Sequence, residues 1–235
     1  MTVSPLRSLD GTALDVAPGL LGAVLTTLID GAIVSVRLAE VEAYEGAHDP
    51  GSHAYRGRTP RNEVMFGPPG HLYVYRHMGL HHCVNLVCGQ PGTSSAVLLR
   101  AGEVIRGQDV AFARRRAAGV CRTAVDLARG PGRLAVALGL THAHNGTALS
   151  EEASPKDQGH AATEPRVHLR LPDSPAGEVA TGPRVGVNGP GGDGEVYPWR
   201  FWLPQDPHVS AFRPGKPRTG DRVGPRPTGK VERGN

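Results

Sequence analysis

Apolar and polar positions largely alternate through Ile33-Val34-Ser35-Val36-Arg37-Leu38-Ala39-Glu40-Val41-Glu42-Ala43-Tyr44. That two-residue period predicts a strand whose successive side chains point to opposite faces. Glu40, Glu42 and Tyr44 then share one face, which puts a carboxylate and an aromatic ring on the same wall. Upstream, Asp30-Gly31 interrupts two apolar runs between Val24 and Val34 and predicts a hairpin feeding directly into that strand. Asp10 is placed to cap a short helix over Gly11 to Leu21. Residues 45–70, rich in Gly, Pro, Arg and His, read as a long functional loop. His71 to Tyr75 then reads as a strand, with Tyr73 and Tyr75 on one face. Strands over 82–87 and 95–101 flank the turn Gly89-Gln90-Pro91-Gly92, and helices are expected over 103–117 and 123–140. Residues 141–180 are polar and carry Pro165, Pro172 and Pro175. Beyond them, Arg184 to Val187 and Trp199 to Leu203 read as returning strands that close the sheet. From Arg213 onward Pro, Gly and Arg dominate and no apolar period survives, so disorder is expected there.

Composition narrows the class. A chain of 235 residues with 39% hydrophobic content can bury one sizeable core. The expectation is one domain over 1–212 followed by a basic tail over 213–235. The formal charge of +4 belongs mainly to that tail: Arg213, Lys216, Arg218, Arg222, Arg226, Lys230 and Arg233 stand there against Asp221 and Glu232, giving it +5 and leaving the rest near −1. A nucleic-acid footprint on the body must therefore come from local arginine patches. Three cysteines in a chain of this size, with no signal-like apolar run before Leu6-Arg7-Ser8, point to a reduced, cytoplasmic protein. No apolar run approaches the eighteen residues of a membrane span.

Several residues could carry chemistry. Glu42 reads either as a general base or as a surface glutamate on a half-exposed strand, and strand period alone does not separate the two; Glu40 on the same face dilutes the signal. Tyr44, Tyr73 and Tyr75 are three of only five tyrosines and flank the polar loop, which suggests stacking on a planar ligand, although Tyr73 fits ordinary core better. Arg56, Arg58 and Arg61 lie in a Gly/Pro-rich loop suited to DNA phosphates, or are simply a solvated basic loop. His81, His82, Cys83 and Cys88 invite a metal, but their spacing matches no standard zinc pattern, and none is expected. Arg114-Arg115-Arg116 reads as a solvated helix face. Lysine is nearly missing: Lys156, Lys216 and Lys230 are the only three, so the first half offers no amine for a Schiff base and favours hydrolysis by activated water.

The ordered motifs Val41-Glu42-Ala43-Tyr44, His53, Arg58-Thr59-Pro60-Arg61-Asn62, Met65-Phe66, Pro69-Gly70-His71-Leu72-Tyr73-Val74-Tyr75, Asn85 and Leu98-Leu99-Arg100-Ala101 stand in the first half. Arg129 to Leu134, Arg184-Val185-Gly186-Val187 and Pro198-Trp199-Arg200-Phe201 follow. Together they resemble the alkyladenine (3-methyladenine) DNA glycosylase family, in its bacterial branch, across nearly the whole chain up to Phe212. The resemblance implies a mixed α/β fold, a single domain with a curved antiparallel sheet, a projecting β-hairpin and surrounding helices. It implies that Glu42 deprotonates a water for attack on the sugar C1′ carbon, with Arg100 and the main chain at Val185 orienting that water. Tyr44, His53 and Tyr75 would enclose a flipped base, and Asn85 at the pocket floor would disfavour guanine through its exocyclic amino group.

The expected activity is that of a monofunctional DNA N-glycosylase that excises alkylated purines and leaves an abasic site for base excision repair. It would act as a monomer on double-stranded DNA containing damaged purines, without cofactor, metal or membrane, in the cytoplasm and on the nucleoid when DNA-bound. Flipping is physically required, because a stacked base cannot be reached in the duplex. One departure stands out: alignment on Gly79 places Met78 where vertebrate relatives insert a tyrosine into the vacated stack, and methionine is flexible and offers less area. The rival reading is a non-catalytic nucleic-acid-binding module with the same fold.

Overall fold

A computed structural model describes residues 9–150 and 165–215. The alternating run is its longest strand. β1 (Val24–Ile29) and β2 (Ala32–Tyr44) form the expected hairpin, and both turn residues, Asp30 (φ 54°) and Gly31 (φ 72°), take the left-handed backbone that such a two-residue turn needs. β3 (Leu72–His77), β4 (His81–Val87), β5 (Ala96–Arg106) and β6 (Arg166–Arg170) complete an antiparallel sheet in the order β3-β4-β5-β2-β1-β6. The long strand β2 has a divided edge. Its first half pairs with β1, while Glu40 to Glu42 pair with β8 (Arg200–Trp202), which in turn pairs with β7 (Ala180–Gly182). The sheet therefore branches at the glutamates and does not close, contrary to the expectation from 184–203.

Period two divides the sheet into a helix-packed face and a site face. Val41, Ala43, Leu72, Val74, Val84, Leu86, Val97 and Leu99 join the main core with Leu134 and Leu138. These last two come from α3 (Pro131–Leu138), which packs beside α2 (Gln108–Ala117); α1 (Ala13–Val16) covers the far end. The intervening residues Glu42, Tyr44, Tyr73, Tyr75, Cys83, Asn85, Leu98 and Arg100 point to the other face. A second small cluster there, Ala54, Met65, Tyr73, Val87 and Ala96, seats the 45–70 loop. That loop holds two short 3-10 turns, Gly46–His48 and Glu63–Phe66.

The differences from expectation have local causes. The first helix is capped by Thr12, not Asp10: the Thr12 hydroxyl accepts from the Asp15 amide while the Asp15 carboxylate accepts from the Thr12 amide, and Pro18 then belongs to a separate 3-10 turn. Residues 103–106 stay in strand, since Val104 and Ile105 are β-branched and Arg37 pairs with Glu103 across β2 and β5. Gly107, left-handed at φ 73° and too close to the Ile33 carbonyl for any side chain, ends β5 and lets α2 begin. Pro131 delays the next helix, because a proline fits its first turn. Residues 184–187 form a turn with Gly186 at φ 74°, not a strand. Of the arginine triplet only Arg116 is exposed as expected: Arg114 donates to the Ile29 and Ala137 carbonyls and Arg115 is buried. Folded chain also runs past the expected domain end, since the Gly186 amide donates to the Arg213 carbonyl at 2.9 Å. The rest of the expected disordered tail, 216–235, lies outside the described residues, as do 1–8 of the expected domain and all three lysines. Among the described residues no helix is long and apolar enough to cross a membrane.

Candidate active site

A cavity of about 860 Å³ opens on the site face, lined among others by Tyr44, His53, Tyr73, Tyr75, Asn85, Arg100 and Val185. Six residues singled out in the sequence for catalysis or base binding thus converge here from four strands and two loops. Glu42 itself is fully buried directly behind this wall. Its Oε1 accepts from the Val185 amide at 2.6 Å, and its Oε2 accepts from the Tyr44 hydroxyl at 2.9 Å and lies 3.2 Å from Nη1 of Arg100. The surface-glutamate alternative is thereby removed. All three donors line the cavity, so the carboxylate is polarised by groups that also border it.

Glu40 does not compete for this role. Its side chain binds Arg100 and Arg200, each Nε at 2.8 Å from Oε1, and accepts from the amide and hydroxyl of Ser210 at 2.7 and 3.0 Å. Burial would raise its pKa, but the two guanidiniums and Ser210 outweigh burial and hold Glu40 below its ordinary value. Arg100 is consequently clamped on one side by Glu40 while its Nη1 faces Glu42. Burial opposes its charge, yet Glu42 and Glu40 outweigh that and raise its pKa, so it remains a cation. Tyr44 is pushed well above its ordinary value by burial and by the Glu42 carboxylate, which keeps its hydroxyl protonated as a donor.

The rings form an aromatic corner. Tyr73 and Tyr75 stack with centroids 5.5 Å apart, and His53 meets Tyr75 edge-on at 4.4 Å while its Nδ1 lies 3.1 Å from the Tyr73 hydroxyl. Tyr73 is buried, in keeping with its reading as core. The His53 body packs on these rings while part of it reaches solvent. Desolvation, then Arg61 and His77, depress its pKa to about 4, so the ring is neutral above that value. Asn85, paired with Tyr73 across β3 and β4, donates its amide to the Tyr73 carbonyl at 3.1 Å, which fixes its side chain in the cavity lining.

Met78 sits at the tip of the β3–β4 hairpin with φ 49°, 81% exposed, beside Leu80 at 73%. An apolar tip so open at the cavity rim is not accounted for by packing among the described residues. The three loop arginines have different surroundings. Arg58 pairs with Glu63 at 2.7 Å in an exposed contact, Arg61 lies over the Tyr75 ring at 5.9 Å, and Arg56 is exposed. His81 and His82 alternate on β4, so their side chains leave opposite faces, and among the described residues no three His, Cys, Asp or Glu groups are placed to share an ion.

Sequence reasoning missed a supporting layer. Arg184 is fully buried; it donates to both Asp49 carboxylate oxygens and to the Ala43 and Gly191 carbonyls, and its guanidinium lies 4.5 Å from the Tyr44 ring centroid. This one side chain fixes the loop carrying Val185 and backs the ring at the pocket wall. Its position next to Val185 was a usable signal; Asp49, in a loop among other polar residues, offered none. Cys83, opposite Tyr75 on β4, also lines the cavity, with burial raising its thiol pKa.

Comparison with known proteins places the chain in a family. The profile of the methylpurine-DNA glycosylase (MPG) family matches residues 7–207. A candidate 3-methyladenine DNA glycosylase of Streptomyces avermitilis is 51% identical over 205 residues, covering 87% of this chain and 89% of that protein. Proteins given the same name in Nocardia farcinica (51% over 186 residues, 77% and 79%) and Mycobacterium tuberculosis (45% over 195 residues, 81% and 86%) are similar.

Proposed function

We propose, from the premise that this chain belongs to the methylpurine-DNA glycosylase family, that it flips an alkylated purine out of duplex DNA and hydrolyses its N-glycosidic bond with Glu42 as general base. The N-glycosylase class follows from the family. The observation that carries the residue-level reading is the triple capping of Glu42 by Val185, Tyr44 and Arg100, three groups on the cavity wall.

The chemistry follows from that geometry. Oε2 faces two donors, whereas Oε1 faces one and keeps acceptor capacity for a water proton. A water there loses its proton to Glu42 as its oxygen bonds to C1′, the C1′–N bond breaks, and the electron pair leaves with the purine. A base already cationic through alkylation departs neutral and requires no acid. The carboxylate also stabilises the oxocarbenium-like sugar, as carboxylates do in glycosidases. Tyr44 and the His53/Tyr75 corner supply π-faces for the planar cation, Asn85 disfavours guanine, and Met78 fills the vacated stack. Arg56, Arg58 and Arg61 contact phosphates; the exposed Arg58–Glu63 pair is weak enough to exchange for one. The direct test is release of free base from duplexes carrying N3-methyladenine, N7-methylguanine, hypoxanthine or ethenoadenine, with EDTA present. Release from none of them would end this reading in favour of a non-catalytic DNA-binding module.

Two smaller effects are expected. Leu replacing both Tyr44 and Tyr75 should weaken binding to a flipped-base analogue duplex by roughly 10- to 100-fold more than binding to undamaged duplex, because stacking contributes about 1–3 kcal/mol per base; equal losses would remove the stacking role. His53 gains charge only as the pH falls through about 4. His53→Gln should therefore leave the shape of the pH profile unchanged from pH 5 to 8 even where it lowers the rate, measured by single-turnover excision. An acid limb in that range that vanishes with the substitution would contradict it.

A further inference from the structure

The family profile ends at residue 207, yet the cavity wall does not. Arg213, Pro214 and Gly215 line the cavity on the side of Val185 to Asn188. The strap leading to them is anchored at three residues: Arg129 donates to the Val209 carbonyl at 2.9 Å, Ser210 is bound to Glu40 and to Arg200, and the Gly186 amide donates to the Arg213 carbonyl. Gly215 lies so close to the Asn188 side chain and the Val187 carbonyl that any side chain there would collide with them. Pro214 restricts the backbone between these anchors. Position 213 is therefore set relative to the amide that caps Glu42, one residue from the hydrogen-bonded Gly186.

The three buried arginines around the site are committed to protein acceptors: Arg100 to Glu40 and Glu42, Arg184 to Asp49, Arg200 to Glu40. Arg213 differs. Its side chain is exposed on the cavity rim and makes no hydrogen bond or ion pair with the described residues. A guanidinium carried on an anchored backbone at the mouth of the cavity, with its donors open, suits an oxyanion. We propose that Arg213 binds a backbone phosphate beside the flipped nucleotide, making 209–215 a second wall of the DNA site. This rests on the glycosylase reading above and adds to it a contact outside the family-matched region.

The test is the salt dependence of binding to a duplex with a tetrahydrofuran abasic analogue, using the full chain and its Arg213→Ala and Arg213→Lys variants, with excision of N3-methyladenine measured alongside. One lost phosphate contact lowers the log–log salt slope by about 0.9, so the affinity drop from 50 to 200 mM salt should shrink about threefold in Arg213→Ala. Arg213→Lys should keep the slope of the unaltered chain. An unchanged slope in Arg213→Ala, or the same loss in Arg213→Lys, overturns the proposal while excision by the unaltered chain leaves the glycosylase reading intact. If the unaltered chain neither excises nor prefers the abasic duplex, the glycosylase reading fails and this contact fails with it. Thermal melts coincident with the unaltered chain are expected for both variants, since the replaced side chain has no hydrogen-bond or ion-pair partner among the described residues.

Discussion

Glu42→Gln is expected to slow single-turnover excision by about 10³-fold or more while the protein still binds a duplex carrying an abasic analogue. General-base catalysis contributes about 10²–10⁴-fold, and the charge facing the developing sugar cation adds an electrostatic part. Glutamine keeps the shape but removes both. It also turns one acceptor into a donor in a place where every neighbour donates: the Val185 amide on one side, the Tyr44 hydroxyl and Arg100 on the other. A stability loss of about 1–3 kcal/mol should accompany the substitution, so the assay belongs well below the melting temperature, with duplex binding confirming the fold. Excision within tenfold of the unaltered rate would remove Glu42 from the role of base.

Asp49→Ala should produce the largest loss of stability. It would leave the Arg184 cation fully buried with carbonyl partners but no directly bonded carboxylate. Burial alone lowers the pKa of that guanidinium, and Asp49 with neighbouring groups reverses the effect. Removing one partner of such a pair costs about 3–5 kcal/mol, which at about 2–4 °C per kcal/mol for a chain this size lowers the melting temperature by roughly 6–20 °C. Replacing both partners with apolar residues, Asp49→Leu with Arg184→Met, should recover much of this in urea melts, because no charge is then stranded. Excision should not recover to the same extent, since Arg184 also holds the Val185 loop and backs Tyr44. A single Asp49→Ala variant as stable as the unaltered chain would show that the pair has no such weight.

Much of the site was legible because strands write their geometry into sequence. The Glu42–Tyr44 spacing, the Asp30-Gly31 turn and the Tyr73/Tyr75 face all follow from period two and from local backbone preference, and the Tyr44 hydroxyl does donate to the carboxylate at 42. Val185 was reached only through family likeness, and there the strand expected from Arg184-Val185-Gly186-Val187 is a turn. An apolar alternating tetrapeptide cannot reveal that its second amide is needed by a carboxylate 143 residues away. The helix limits were misplaced where Gly107 and Pro131 impose backbone restrictions that override the surrounding helical pattern.

Glu40 shows the limit most plainly. On the strand it is indistinguishable from Glu42: same face, same type, two residues apart. Tertiary structure alone separates them, by bringing Arg200 and Ser210 from the end of the chain onto Glu40 and leaving Glu42 against cavity-lining donors. The sequence by itself determined the local terms: strand period, turn chemistry, the scarcity of lysine and the ordered motifs of the family. Only the fold decided which carboxylate is held between two buried guanidiniums and which is capped by groups that line the cavity, and that Arg213 belongs to the pocket wall. The reason is physical. Hydrogen bonds and ion pairs between distant segments depend on how the sheet branches and which loops cross it, and no local periodicity encodes those distances.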